Sequence, residues 1–219
     1  MNNLLIRSCE IEKGQYDRSR STDSFSTKAL SITREGFFMA EEKRVVLERT
    51  ELAKAIARMA HEIVEKCVAP SDLVLIGIRS RGVHLARRLG RKVNEICQIN
   101  LPVGIMDVTP YRDDRGRPEN ASALGALEAP VAVDEKTVVL IDDVIFRGRT
   151  IRAAMDAVER LGQPKRILVA ALVDRGAREL PIRADIVGKN ITAAENERVN
   201  VLLEELDGLD QVTLAGWKS

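Results

Sequence analysis

Aromatic residues are scarce in this sequence, with one Trp, two Tyr and four Phe among 219 residues. Tyr16, Phe25, Phe37 and Phe38 all precede residue 39, so the rest of the chain must build its core from Val, Ile, Leu and Ala. Aliphatic runs of this kind are typical of strands buried on both faces of a parallel sheet. The shortage of aromatics therefore favours an α/β protein.

Cysteine is also scarce, and its positions argue against two kinds of site. Cys9, Cys67 and Cys97 are far apart, odd in number and without Cys-x-x-Cys spacing, which disfavours a disulfide framework or a zinc site. No apolar run approaches the roughly 18 residues that a membrane-spanning helix needs, and the first residues lack the pattern of a secretory signal. We expect a cytoplasmic protein, since that compartment keeps thiols reduced.

The sequence also lacks an excess of either charge, because it contains 34 Lys and Arg and 33 Asp and Glu. The net charge of +1 excludes a globally basic nucleic-acid coat, so any nucleic-acid contact must come from a local patch. Residues 1–38 show no sustained helical or strand period. We interpret them as an N-terminal extension, either poorly ordered or an artefact of the start site, and residues 39–219 as one domain.

Beyond residue 39, helical and extended patterns alternate. Apolar residues at three- and four-residue steps predict helices over Glu48–Cys67, Val83–Cys97 and Thr150–Leu161. Aliphatic runs predict strands over Leu73–Ile78, Val103–Val108, Thr137–Ile141 and Ile167–Val173, with shorter strands near Asp185–Val187, Val199–Leu203 and Val212–Ala215. Residues 115–130, rich in Gly, Pro, Ala and Ser, predict a long mobile loop. This order of elements predicts an α/β sheet.

The segment VVLIDDVIFRGRT, residues 138–150, contains the sharpest functional pattern. An apolar strand ends in Asp142 and Asp143, and Gly148, Arg149 and Thr150 open a helix. A loop at a helix N-terminus presents unpaired N–H groups to an anion, and strand-end carboxylates accept hydrogen bonds from sugar hydroxyls. The alternative is a charged strand end followed by an ordinary helix cap. The combination of all these features favours a sugar-phosphate site.

This segment resembles the phosphoribosyl-diphosphate (PRPP) signature of type I phosphoribosyltransferases. Across residues 39–219 the segments LIGIRSRGVHLARRLG, DVTPYRDD and LVDRGARELPIRADIVGKN are similar, in order, to the PyrR family. That resemblance implies a type I phosphoribosyltransferase fold, with a mainly parallel sheet flanked by helices and a small hood of C-terminal strands. It also implies a uracil phosphoribosyltransferase that regulates pyrimidine-biosynthesis genes by attenuation.

The resemblance implies a role for each matching residue. Asp142 and Asp143 would hold the ribose hydroxyls and, with Arg112, form the catalytic set. The 5′-phosphate would lie on the loop formed by Val144, Ile145, Phe146, Arg147, Gly148, Arg149 and Thr150. Pyrophosphate would bind the turn formed by Arg79, Ser80, Arg81 and Gly82. The loop that closes over the site would begin with Tyr111, Arg112, Asp113 and Asp114.

Further implied contacts concern uracil, metal and RNA. Arg175, Ile186 and Val187 would flank uracil or its nucleotide. Mg²⁺ would bind with PRPP, through PRPP oxygens and waters rather than a dedicated protein site. A messenger-RNA hairpin, the leader of a pyrimidine operon, would contact the basic side chains of Lys54, Arg58, His61, Arg178, Arg183 and Lys189. A homodimer or higher homo-oligomer is expected.

Four positions depart from the family pattern. Arg147 replaces a hydroxyl residue of the phosphate loop, and Pro110 replaces an apolar residue before Tyr111. Ala177 and Ala57 replace family residues near the basic surface. Arg147 and Pro110 leave open a nucleotide-sensing RNA-binding regulator with little catalysis, beside the working enzyme. Ala177 and Ala57 leave open whether RNA binding persists. A phosphoribosyltransferase for another base is a third possibility, against which residues 173–189 argue.

Overall fold

The computed structural model describes residues 29–32, 38–108, 126–127 and 131–217. The strands are β1 (Ala29–Ile32), β2 (Phe38–Leu47), β3 (Leu73–Ile78), β4 (Val103–Asp107), β5 (Ala126–Leu127), β6 (Thr137–Ile145), β7 (Arg166–Asp174), β8 (Ile186–Asn190), β9 (Glu197–Leu202) and β10 (Gln211–Trp217). The helices are α1 (Arg49–Lys66), α2 (Arg81–Cys97), α3 (Arg149–Leu161) and α4 (Glu204–Asp207). Within these ranges, no helix is long and apolar enough to cross a bilayer.

The larger sheet has the strand order β5-β4-β3-β6-β7-β8. The five strands from β4 to β8 in that order are parallel, and β5 runs antiparallel to β4. All six residues of β3 are buried, as expected for a strand covered on both faces. The predicted α/β fold with a mainly parallel sheet is confirmed.

Two hydrophobic clusters lie on opposite faces of this sheet. Leu73 and Leu75 of β3 belong to the cluster that contains α1 and α2, whereas Val74 and Ile76 belong to the cluster that contains α3. This alternation follows from the two-residue period of a strand. The apolar stripe predicted for the first helix is buried, at Leu52, Ile56, Met59, Ile63 and Cys67.

The smaller sheet is antiparallel, with the order β1-β2-β10-β9. The sequence predicted its C-terminal strands but not β1 or β2. Lys43, Arg44 and Val45 are all exposed, so β2 lacks the alternation by which a half-buried strand is recognised. Because β2 begins at Phe38, the proposed domain boundary at residue 39 lies one residue inside this strand.

Most predicted helices and strands agree with the structure to within two residues at each end, but β6 and the predicted mobile loop differ by more. The strand predicted to end at Ile141 continues to Ile145, because its ladder to β7 extends through the pair Val144 and Val173. Asp142 and Asp143 therefore lie inside β6 rather than after it. Residues 126–127, inside the predicted loop, form β5, while most of that loop lies outside the described residues.

Candidate active site

The parallel strands bring the two main motifs to one edge of the sheet. β3 and β6 are neighbours, with Gly77 opposite Ile141, so the turn after β3 lies beside the acid pair of β6. A Cβ added to Gly82 would lie 2.5 Å from the carbonyl oxygen of Ile141 and 3.3 Å from Cα of Asp142. Only glycine allows the start of α2 to approach β6 this closely.

Asp142 and Asp143 occupy an irregular part of β6. The side chains of Ile141 and Val144 pack on the same hydrophobic cluster although they are three positions apart, so the two-residue alternation shifts across the acid pair. Asp142 is 6% exposed, and its Oδ1 accepts the backbone N–H of Asp143 at 3.0 Å. Asp143 is half-buried. Both carboxylates are held by a rigid strand at the edge where the sugar is expected.

The loop between β6 and α3 has the geometry of an anion site. Gly148 is the N-cap of α3 and adopts φ +94°, in the left-handed region that favours glycine. Its carbonyl accepts the N–H of Arg152 at 3.0 Å, which starts the helix. Thr150 in the first turn is buried. The positive end of the helix dipole faces this loop, which favours a phosphate group.

Glu179 connects the two arginines that flank Gly148. One oxygen of its carboxylate lies 3.1 Å from Nε of Arg147, and the other accepts a hydrogen bond from Nη2 of Arg149. Arg147, which stands where the family pattern has a hydroxyl residue, adds positive charge to the predicted phosphate loop. In this structure the single negative charge of Glu179 is shared by Arg147 and Arg149, so it offsets part of their combined positive charge.

Phe146 carries a stacked guanidinium group. The Arg175 guanidinium lies 3.9 Å from the ring centroid, and that of Arg147 lies 5.1 Å from it. Nη2 of Arg175 donates to the carbonyls of Ala194 and Glu197 at 2.9 and 2.8 Å. Burial and the nearby charge of Arg147 lower the pKa of Arg175 from its ordinary value. Ile186 is fully buried and Val187 half-buried in β8.

The turn after β3 is anchored on both sides. The backbone N–H of Arg79 donates to Met106 at 2.8 Å, and its Nη1 lies 3.6 Å from the Asp107 carboxylate. The Arg79–Ser80 peptide bond is cis. Nη2 of Arg81 lies 3.0 and 3.2 Å from the two oxygens of Asp207 in α4. The predicted pyrophosphate turn therefore also joins the main sheet to the smaller one.

Comparison with known proteins shows which family the chain belongs to. The phosphoribosyl transferase domain family matches residues 45–206. Proteins named "Bifunctional protein PyrR" are 48% identical in Pelotomaculum thermopropionicum, over 80% of this chain and 97% of the relative, and 51% identical in Streptomyces coelicolor, over 80% and 90%. The chain belongs to the PyrR family. This confirms the predicted family and enzyme class, a pentosyltransferase with a phosphoribosyl transferase domain.

Solved structures confirm the predicted fold of this PyrR family member. The hypoxanthine phosphoribosyltransferase of Trypanosoma cruzi matches with a TM-score of 0.61 and 17% identity, covering 80% of this chain and 97% of that one. The enzyme of the same name from Staphylococcus aureus matches with a TM-score of 0.57 and 20% identity, covering 80% and 92%. At these identities the likeness concerns the type I phosphoribosyltransferase fold alone.

Most of the basic residues predicted to contact RNA lie on the surface. Lys54, Arg58 and His61 are exposed on α1, as are Arg183 and Lys189 near β8. Nη2 of Arg58 donates to the carbonyls of residues 187 and 188 at 3.0 and 2.6 Å, which fastens α1 to β8. The structure therefore packs α1, which carries Lys54, Arg58 and His61, against β8, which carries Lys189.

Arg178 is the exception in the predicted RNA set. Its side chain is 16% exposed and forms an ion pair at 2.7 Å with Asp174. Its remaining hydrogen bonds go to backbone carbonyls, among them that of Phe146 at 2.7 Å. The sequence placed Arg178 on a surface separate from the phosphate loop, whereas the structure puts its guanidinium in contact with that loop.

Sequence reasoning missed the network that holds the smaller sheet. Arg88 of α2 donates to Glu205 at 2.9 and 2.6 Å and to Asp210 at 2.9 and 2.8 Å. Hydrogen bonds from Arg88 lower the pKa of Glu205. Burial alone would raise the pKa of Asp210, but hydrogen bonds from Arg88 and from the backbone of Glu204 outweigh it and lower the pKa.

The missed contacts differ in how visible they were. Asp174 and Arg178 stand four residues apart, which is a local signal for an ion pair, although β7 ends at Asp174 and residues 175–178 are not helical. Glu179 and the Arg88 network carry no such signal, because their partners lie 30 to 122 positions away along the chain. Tyr111, Arg112, Asp113 and Asp114 lie outside the described residues.

Proposed function

We propose that this PyrR family member transfers the phosphoribosyl group of PRPP to uracil, yielding UMP and pyrophosphate. N1 of uracil bonds to C1′ of the ribose as the bond from C1′ to the diphosphate breaks, and the N1 proton is released. Asp142 and Asp143 accept hydrogen bonds from the ribose hydroxyls. The loop from residue 144 to Thr150 binds the 5′-phosphate, and residues 79–82 bind the diphosphate.

One observation carries this proposal. In the described part of the chain, two buried side-chain polar atoms lack a hydrogen-bond partner, and they are Nε of Arg81 and Nε of Arg175. A buried donor without an acceptor is costly and rare in folded proteins. The family resemblance assigns one arginine to pyrophosphate and the other to uracil. Both atoms are closed to solvent in this structure, so oxygens of these two ligands would become their acceptors once the arginine side chains turn toward the bound ligands.

The donors at the strand edge also fit Mg²⁺, which prefers oxygen ligands in octahedral geometry. The carboxylates of Asp142 and Asp143 are hard oxygen donors at the proposed ribose site. Two carboxylates cannot fill six positions, so PRPP oxygens and waters would supply the others. Among the described residues no group of three or more His, Cys, Asp or Glu could hold a metal ion. When bound, Mg²⁺ would neutralise charge on the diphosphate leaving group.

The decisive assay incubates the full chain with PRPP, Mg²⁺ and radiolabelled uracil, with orotate, hypoxanthine and adenine as comparators. UMP formation well above the no-enzyme control, and above every comparator, is the expected result. Normal PRPP binding without UMP formation would favour the nucleotide-sensing regulator instead. The ion pair of Arg147 with Glu179 is the feature that favours this second candidate, because it engages the arginine that replaces a hydroxyl residue of the phosphate loop.

A regulatory role through RNA is the second part of the proposal. The exposed side chains of Lys54, His61 and Lys189, with Arg58 bridging α1 and β8, support a basic surface that an RNA hairpin could contact. Contacts of this kind release counterions, so binding should weaken as salt rises. Binding to a pyrimidine-operon leader hairpin should also rise with UMP or UTP.

Lys189→Ala tests that surface. The substitution should weaken hairpin binding and reduce the salt slope by about one, because one phosphate contact is lost. UMP formation should be retained if the RNA surface and the catalytic surface are separate. Gel-shift titrations at two salt concentrations, with and without UMP, measure both effects. A wild-type shift that ignores RNA sequence and nucleotide would refute regulated RNA binding.

A further inference from the structure

Arg178 holds several groups of the phosphate loop and its neighbouring segment at once. All three guanidinium nitrogens donate hydrogen bonds, and most of the acceptors are backbone carbonyls. The acceptors are Ile182 O at 2.8 Å, Phe146 O at 2.7 Å, Gly176 O at 3.0 Å, Ile145 O at 3.4 Å and Asp174 Oδ2 at 2.7 Å. The planar guanidinium group is suited to this, since its donors have a fixed geometry.

The same segment also holds the loop through its own backbone. The N–H of Arg175 donates to Ile145 O at 3.1 Å, and the N–H groups of Glu179 and Leu180 both donate to Arg147 O at 3.1 Å. Three consecutive carbonyls of the loop, from residue 145 to residue 147, are therefore turned toward residues 175–180.

A peptide bond is planar, and in the trans form its C=O and the following N–H point in opposite directions. Fixing the carbonyls of Ile145 and Phe146 on the side of Arg178 therefore directs the N–H groups of Phe146 and Arg147 to the opposite side. Backbone donors held in advance bind an anion without a reorganisation cost. Asp174 balances the charge of Arg178, so the arginine acts here through hydrogen-bond geometry rather than through net charge.

We propose that Arg178 is a positioning residue for the 5′-phosphate loop, whose guanidinium orients the backbone donors that receive the phosphate of PRPP or UMP. The inference rests on the proposed function, since it deepens the role of that same loop. It also separates Arg178 from the surface side chains Lys54, His61 and Lys189, to which the resemblance would join it. In this proposal Arg178 does not orient the turn at residues 79–82, which binds pyrophosphate.

Arg178→Lys tests the proposal, because lysine keeps the charge but lacks the planar array of donors. Isothermal titration of the full chain with UMP should show a Kd raised about 10- to 100-fold, as small misplacements of binding groups cost this much. The Kd for inorganic pyrophosphate should stay within about twofold, because separate sites respond independently. In steady state, KM for PRPP should rise more than kcat falls. Arg160→Lys, in the last turn of α3, is the matched control and should change neither affinity.

Asp174→Asn is the second variant, for use if Arg178→Lys fails to fold as judged by circular dichroism. It removes the carboxylate that orients the guanidinium, so it should weaken UMP binding selectively and by a smaller factor. Equal losses for UMP and pyrophosphate, or no loss for either, would overturn the positioning role. Loss of hairpin affinity with normal UMP affinity would also overturn it and make Arg178 an RNA contact. A wild-type chain that binds no UMP would instead refute the proposed function, and this inference with it.

Discussion

Two arginines, Arg178 and Arg88, have nearly the same exposure but different partners. Their side chains are 16% and 13% exposed, and each donates four or more hydrogen bonds. Arg178 donates chiefly to backbone carbonyls, at the end of β6, in the loop that follows it and in the segment after β7, whereas Arg88 donates to the carboxylates of Glu205 and Asp210. A side chain that binds backbone carbonyls sets the direction of nearby N–H groups, while one that binds carboxylates joins two elements.

The location of each arginine decides whether its hydrogen bonds support ligand binding or the stability of the fold. Arg178 lies at the carboxyl edge of the parallel sheet, beside the phosphate loop. Arg88 lies in α2. Its partner Glu205 lies in α4 and its partner Asp210 directly precedes β10, so Arg88 ties the smaller sheet to the larger one. We therefore expect changes around the loop to reduce ligand binding and turnover, and changes around Arg88 to reduce the free energy of unfolding.

The largest expected effect is on turnover. Asp142→Asn and Asp143→Asn should each slow UMP formation about 10- to 150-fold, because losing a charge-assisted hydrogen bond costs roughly 1.5–3 kcal/mol. Initial rates at saturating PRPP and uracil measure this, with Glu159→Gln on the exposed face of α3 as the control. Wild-type rates in both variants would remove the acid pair from the catalytic set.

The next effect is on stability. Arg88→Met should lower the free energy of unfolding by about 2–3 kcal/mol, because it leaves the mostly buried Asp210 without its partner. For a chain of this size that corresponds to roughly 4–12 °C in Tm, measured by circular dichroism. KM for PRPP should stay near the wild-type value. Arg87→Met, an exposed neighbour on the same helix, is the control. Equal melting of both variants would show that the network stabilises little.

The Arg88 network should also be sensitive to acid. Because the folded-state pKa values of Glu205 and Asp210 lie below their ordinary values, the network stabilises the protein fully above the unfolded-state pKa values, about 4. That stabilisation is lost as pH falls through the folded-state values. The Tm difference between wild type and Arg88→Met should therefore narrow below about pH 4. A difference that persists unchanged to pH 2, about two units lower, would contradict this.

The smallest effect concerns the N-terminal extension. A chain that starts at Met39 lacks β1, which among the described strands pairs with β2 along one edge of the smaller sheet. β2, β10 and β9 keep their pairing, and Arg88 keeps its carboxylates. The Tm should therefore change by no more than about 2–4 °C, the equivalent of roughly 1 kcal/mol. Insolubility of this shorter chain would show that the extension contributes to the core.

The sequence alone predicted the features that depend on local patterns. The buried stripe of α1 follows from three- and four-residue spacing, and β3 follows from an unbroken aliphatic run. The acid pair and Gly148 are likewise recognisable within one short segment. Resemblance to a family then assigned ligands to these residues, which spacing by itself could not have done.

Tertiary structure decided what depends on partners distant in sequence. The extension of β6 to Ile145 results from its ladder with β7, and β2 exists as a strand because β10 pairs with it. Arginine is usually a surface residue, and nothing near Arg178 in the sequence indicates otherwise. Only folding brings its guanidinium to the carbonyls of residues 145 and 146, which lie more than 30 positions earlier in the chain. Hydrogen bonds of this kind leave no periodic pattern in the chain, because their geometry is set by the packing of separate elements.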